Sequence, residues 1–128
     1  MLAPADAVQA FLDAMTTLDY DRAMTLIAPE CVYENMPSGM DKVTGPAGVR
    51  AVLEPFFSPT LENEFIILRQ MAEGPLVFTE RLDRHRLAKG WVELPVTGVW
   101  EVRDGLITLW RDYFDANTIL KAWPAAGA

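Results

Sequence analysis

The chain has 128 residues, 51% of them hydrophobic, and a formal net charge of −7 at pH 7. That length fits one domain over 1–128 that can bury a core and still leave apolar surface for a cavity, and the composition excludes a disordered chain. The acidic balance, with no Lys/Arg block, argues against nucleic acid, whose phosphates need a basic face.

Cys31 is the only cysteine, so no intrachain disulfide forms and nothing asks for an oxidising compartment. The start, Met1-Leu2-Ala3-Pro4-Ala5-Asp6, has neither the basic region nor the apolar run of a signal peptide. No stretch reaches the length needed to cross a bilayer. The expected location is the cytoplasm, with no membrane partner.

Residues 4 to 16 read as an amphipathic helix, with Pro4 in the first turn and Val8, Phe11, Leu12 and Met15 on one face. A short second helix is predicted from about Asp19, with Met24 and Ile27 inward and Pro29 ending it. Cys31 to Met36 reads as a strand closed by Pro37-Ser38-Gly39. Gly45-Pro46 opens a third helix carrying Val49, Val52, Leu53 and Phe56. From about residue 60 the pattern is all strand. Glu64–Met71 and Leu76–Leu87 are separated by the turn Glu73-Gly74-Pro75. Trp91–Val102 follows Lys89-Gly90, and Pro95 and Gly98 suggest a bulge or bend within it. Asp104-Gly105 is a hairpin turn signal, Leu106–Asp115 is the last strand, and a helical turn is expected around Thr118 to Ala122. Short turns between successive strands favour antiparallel pairing, and segregated helices favour an α+β layer packing. A curved mixed or antiparallel sheet wrapped on N-terminal helices makes a cone with a pocket at its open end.

Several chemistries have no motif here. There is no G-x-S-x-G elbow, glycine-rich phosphate loop or H-E-x-x-H. One His and one Cys cannot build a usual zinc site, so no metal or cofactor is expected. What remains is a set of polar residues at strand spacing. Tyr33 and Asn35 are two apart, as are Arg81 and Asp83, and Asp112 lies among the aromatics of Leu109-Trp110-Arg111-Asp112-Tyr113-Phe114-Asp115. A carboxylate buried among aromatics needs a partner such as Arg.

Periodicity alone leaves these residues ambiguous. Phe78 and Leu82 lie on the face opposite Arg81 and Asp83, so a simple core assignment turns the charged pair out to solvent as an ordinary ion pair. Yet Glu80, Arg84 and Arg86 share that opposite face, so neither side is cleanly apolar. Tyr33/Asn35 can equally be a turn-proximal polar pair, and Asp112 a structural ion-pair partner.

Together the residues resemble the limonene-1,2-epoxide hydrolase family, within the NTF2-like, SnoaL-like cone folds. The matching pieces are Val32-Tyr33-Glu34-Asn35-Met36-Pro37, Glu80-Arg81-Leu82-Asp83 and Gly105-x-x-x-x-Trp110-Arg111-Asp112-Tyr113-Phe114-Asp115. The likeness runs over nearly the whole chain. It implies a cofactor-free epoxide hydrolase acting on a small hydrophobic epoxide and water. Asp83 would be the acid that protonates the epoxide oxygen, and Asp112 the base that takes a proton from water. Tyr33 and Asn35 would hold that water, and Arg81 would bridge the two carboxylates. His85, which shares the face of Asp83, and Trp110 and Phe114, which share that of Asp112, are candidates for the pocket wall, with Leu94 and Val96 for its apolar lining. For His85 a hydrogen-bonded wall position is preferred; for the aromatics, ordinary core packing is the alternative.

The scaffold leaves two rival functions open: an isomerase or cyclase in which Asp112 abstracts a proton next to a carbonyl, and a non-catalytic binding or dimerisation module. A homodimer through the outer sheet face, where Phe78 and Leu82 lie, is also expected.

Overall fold

The computed structural model describes residues 1–37 and 42–124. Ser38 and Gly39, part of the turn expected after the first strand, lie outside them. The elements run α1 (Pro4–Thr16), α2 (Tyr20–Met24), β1 (Ile27–Met36), β2 (Lys42–Thr44) and α3 (Gly45–Phe57), then β3 (Glu62–Glu73), β4 (Leu76–Leu87), β5 (Gly90–Arg103), β6 (Leu106–Tyr113) and α4 (Ala116–Ala122).

The six strands form one sheet in the order β2-β1-β6-β5-β4-β3. β1 runs parallel to β6 and every other neighbouring pair is antiparallel. The sheet is curved and does not close. Its concave side takes α1, which touches β3, β4, β5 and β6. The helical spacing of Val8, Phe11, Leu12 and Met15 buries that whole stripe. Phe11 meets Trp100 and Trp110 edge to face, so the helix packs directly on the aromatic rings of β5 and β6. α3 buries Val49, Leu53 and Phe57 along one side. α4 packs on β5, with Ile119 against Leu94 and Val96. The Trp123 ring just after it stacks on Phe56, 4.6 Å between centroids. Among the described residues no helix is long and apolar enough to cross a membrane.

The expected elements need three corrections. Ile27 is not in the second helix: α2 stops at Met24 after five residues, and Ile27 already pairs with Ile107 as the first residue of β1. Pro29 therefore ends no helix. It sits inside β1, where its missing N–H coincides with a shift in the β1–β6 register between Ile27 and Val32. β2, with only three residues, carries no readable period. The bulge expected at Pro95 and Gly98 is also absent, because β4 and β5 pair without interruption from Leu76↔Glu101 to Leu87↔Gly90. The shift in β5 falls later, between Glu101 and Val102 in its pairing with β6. The Asp104-Gly105 turn does join β5 to β6, with φ of 53° and 78°, the left-handed geometry such tight hairpins need.

Candidate active site

β4 alternates between its two faces with a period of two. Val77, Thr79, Arg81, Asp83, His85 and Leu87 are all buried, whereas Phe78 is exposed and Leu82 is half-buried on the outside. The charged face therefore turns into the cone, against the simple core assignment. Arg81 is only 2% exposed, Asp83 5% and Asp112 6%, which removes the solvated ion pair as an explanation.

Sheet register stacks the site in rows across the strands. The lower row is largely aromatic: Val77 faces Trp100, Trp100 faces Trp110, and Trp110 faces Tyr33. Trp100 and Trp110 stack at 5.1 Å between centroids, and Tyr33 stacks on Trp110 at 4.0 Å. The next row is Thr79, Gly98, Asp112 and Asn35. Each indole sends its N–H up into that row, Trp100 Nε1 to Thr79 Oγ1 at 3.0 Å and Trp110 Nε1 to Asp112 Oδ1 at 2.9 Å.

Arg81 crosses above Gly98 and uses all five of its N–H donors. Nε reaches Asp83 Oδ1 at 3.0 Å, and Nη2 donates to Asp83 Oδ2 and Asp112 Oδ2, both at 3.0 Å. Nη1 donates to Asp112 Oδ1 at 3.2 Å and Thr79 Oγ1 at 3.4 Å. One guanidinium thus holds two carboxylates, each in a bidentate pair. The glycine makes this possible. A Cβ at position 98 would lie 2.6 Å from Arg81 Nη1 and 2.8 Å from both Thr79 Oγ1 and Trp100 Nε1. Tyr33 and Asn35 project from β1 beside Asp112, and Asn35 Nδ2 donates to the Tyr33 hydroxyl at 3.0 Å.

Burial sets the electrostatics. It pushes the Asp112 carboxyl above the ordinary carboxylate range, with the Asp83 charge adding to the effect and Arg81 and Trp110 opposing it. Burial also works against the charge of Arg81, but the two carboxylates outweigh it and hold the guanidinium above its usual value. Desolvation, reinforced by Asp112, raises the Tyr33 phenol, which stays protonated. His85 moves the other way, down to about 4, through burial and the nearby Arg81 charge.

These groups line a cavity of about 300 Å³. Tyr33, Asn35, Arg81, Asp83 and Asp112 all reach it, as do His85, Leu94, Val96, Trp110 and Phe114. Trp110 also packs in the core, while Phe114, just past the end of β6, joins Leu94, Val96 and Ile119. The structure adds Thr79, Gly98, Trp100 and Asn63, none of which the sequence places at the site. Thr79 has a visible signal, since it continues the alternation of Arg81, Asp83 and His85. The other three act through partners on other strands.

A family model, the limonene-1,2-epoxide hydrolase catalytic domain, matches residues 2–125. The chain belongs to the limonene-1,2-epoxide hydrolase family. Epoxide hydrolase EphG of Mycobacterium tuberculosis (strain ATCC 25618 / H37Rv) is 37% identical over 115 residues, 90% of this chain and 75% of EphG. The structure of an M. tuberculosis LEH-like epoxide hydrolase, also 37% identical, matches with a TM-score of 0.77 over 91% of this chain and 85% of that one. A SnoaL-like protein from Shewanella putrefaciens CN-32 matches with a TM-score of 0.82 over 94% and 96% at only 19% identity, which shows the fold alone. This limonene-1,2-epoxide hydrolase family member is accordingly an enzyme of the hydrolase type on the SnoaL-like, NTF2-like cone.

Proposed function

We propose that the chain, acting as one domain over 1–128, converts a hydrophobic epoxide to a vicinal diol in one step without a cofactor. The observation that carries this is the single guanidinium of Arg81 clamping Asp83 and Asp112 at the edge of an apolar cavity. In this reading one of the two carboxyls enters the cycle as an acid and the other as a carboxylate. Asp112 accepts three N–H bonds, from Arg81 twice and Trp110 once, whereas Asp83 accepts two, both from Arg81. Asp112, which accepts the extra indole N–H, is accordingly taken as the base and Asp83 as the acid.

Asp83 gives its proton to the epoxide oxygen as the C–O bond breaks. Water, held by Tyr33, Asn35 and Asp112, attacks the ring carbon from the far side, and its proton passes to Asp112. The upward displacement of the Asp112 carboxyl makes it a stronger base than a free carboxylate. Transfer of the proton from Asp112 back to Asp83 readies the next cycle. Leu94, Val96, Trp110, Phe114 and His85 would form the wall against which the substrate packs.

The isomerase or cyclase reading has less support, because abstraction of a proton next to a carbonyl gives no role to an Arg81 held between two carboxylates. We also infer a homodimer in the cytoplasm, binding neither nucleic acid nor membrane. The dimer is supported by the outer sheet face, where exposed Met71 and Phe78 are cross-strand partners, as are exposed Ile66 and half-buried Leu82.

The test is diol formation from a panel of cyclic, aryl and aliphatic epoxides, with an enone run alongside. The wild-type chain should form diol, and Asp83→Asn should lose about 10²–10⁴-fold. No diol from any epoxide, or equal diol from the Asn variant, would overturn the proposal.

A further inference from the structure

Resting on that reading, the geometry points to His85 as the residue that selects the substrate: its Nε2 accepts a hydrogen bond from a hydroxyl or N–H carried by the epoxide. A chain of hydrogen bonds fixes which ring nitrogen is free. The Thr60 hydroxyl donates to the Phe57 carbonyl at 2.7 Å. With its proton committed, Thr60 Oγ1 accepts from Asn63 Nδ2 at 2.9 Å. Asn63 must therefore present its carbonyl oxygen to His85, and Oδ1 lies 2.7 Å from Nδ1. A carbonyl can only accept, so the proton is on Nδ1 and the lone pair is on Nε2.

Nε2 has no partner among the described residues, while every fully buried side-chain N or O there has one. It therefore opens onto the cavity that His85 lines. Three aromatic rings surround the imidazole: Phe57 and Trp123 lie 5.4 Å away and Phe65 5.7 Å, between ring centroids. In such a setting an unused acceptor is costly and a ligand donor is favoured over an apolar group. His85 follows Asp83 by two residues on one face of β4, roughly 7 Å along the strand. The favoured substrate is thus a compact epoxide with a hydroxyl several bonds from the ring.

Two measurements test this. His85 is the only histidine, so a ¹⁵N–¹H spectrum of the imidazole reports one residue. It should show the proton on Nδ1 and a bare Nε2 whose resonance moves when cyclohexylmethanol is added; a protonated Nε2, or no movement on saturation, overturns the inference. Calorimetry should find cyclohexylmethanol binding about tenfold more tightly than its methyl ether. His85→Leu should reduce that ratio to about twofold or less. Equal binding of the two by the wild type, no binding of either, or a preference that survives in the Leu variant also overturns it. Alcohol-selective binding without diol formation from any epoxide would instead sink the hydrolase proposal and leave His85 as an acceptor.

Discussion

At the Arg81 end of the cavity every donor has been used, while at the His85 end an acceptor is left over. The two residues sit on the same face of β4 and are both 2% exposed. What separates them is the neighbouring strands. Arg81 looks across Gly98 to Asp112, and its charge is balanced by carboxylates that depend on it in turn. His85 looks across to Asn63 on β3 and is neutral, held in one tautomer among aromatic rings. A buried charge cluster can rearrange only at large cost, which suits groups that must not move during a reaction. A neutral group with one unused lone pair discriminates between ligands at little cost to the fold.

That contrast predicts unequal responses to substitution. Arg81→Ala strips two buried carboxylates of their counter-ion. Activity should vanish and stability at pH 7 should drop by about 3–5 kcal/mol, with part recovered at acid pH where the Asp112 carboxyl protonates. Denaturant titrations at two pH values would show it. Gly98→Ala leaves every polar group in place but puts a methyl against a guanidinium pinned by five hydrogen bonds. It should cost about 1–3 kcal/mol and lower kcat by about 10²-fold through misplacement of Arg81. Wild-type stability and rate in this variant would show that Arg81 is not confined.

The His85 end should give smaller effects. Burial moves this imidazole from 6.5 to about 4, so between those values the unfolded chain binds the extra proton. Stability therefore falls as pH is lowered from 6.5 through 4, by about 1.4 kcal/mol for each pH unit crossed. The difference in stability between wild type and His85→Leu should change over that window and level off above it. A difference that is flat with pH would contradict a desolvated imidazole. Tyr33→Phe should have the mildest effect on rate, about tenfold in kcat, because Asn35 and Asp112 still hold the water.

Local periodicity carries the fold well where one face is apolar. The α1 stripe can be read from it, while turn residues mark the ends of β4 and the tight Asp104-Gly105 turn announces the β5–β6 hairpin. It misdirects where burial is polar. The inner face of β4 is Thr79, Arg81, Asp83 and His85, and Phe78 and Leu82 lie outside, so hydrophobicity alone inverts the strand. Nothing local shows that Arg81 will find Asp112 31 residues away or that His85 will find Asn63 22 residues away. Only the likeness of the combined motifs to a known family turns the charged face inward. Gly98 reads as a bend for the same reason: its purpose is the Arg81 side chain above it, which belongs to another strand.

Single turnover in ¹⁸O-labelled water, with enzyme in excess over epoxide, tests the central claim most directly. Direct attack by water held at Asp112 should place the label in the diol in the first turnover and leave the enzyme unlabelled. Unlabelled diol in that turnover, with ¹⁸O later found in Asp83 or Asp112, would mean that a carboxylate is the nucleophile and that the one-step account is wrong.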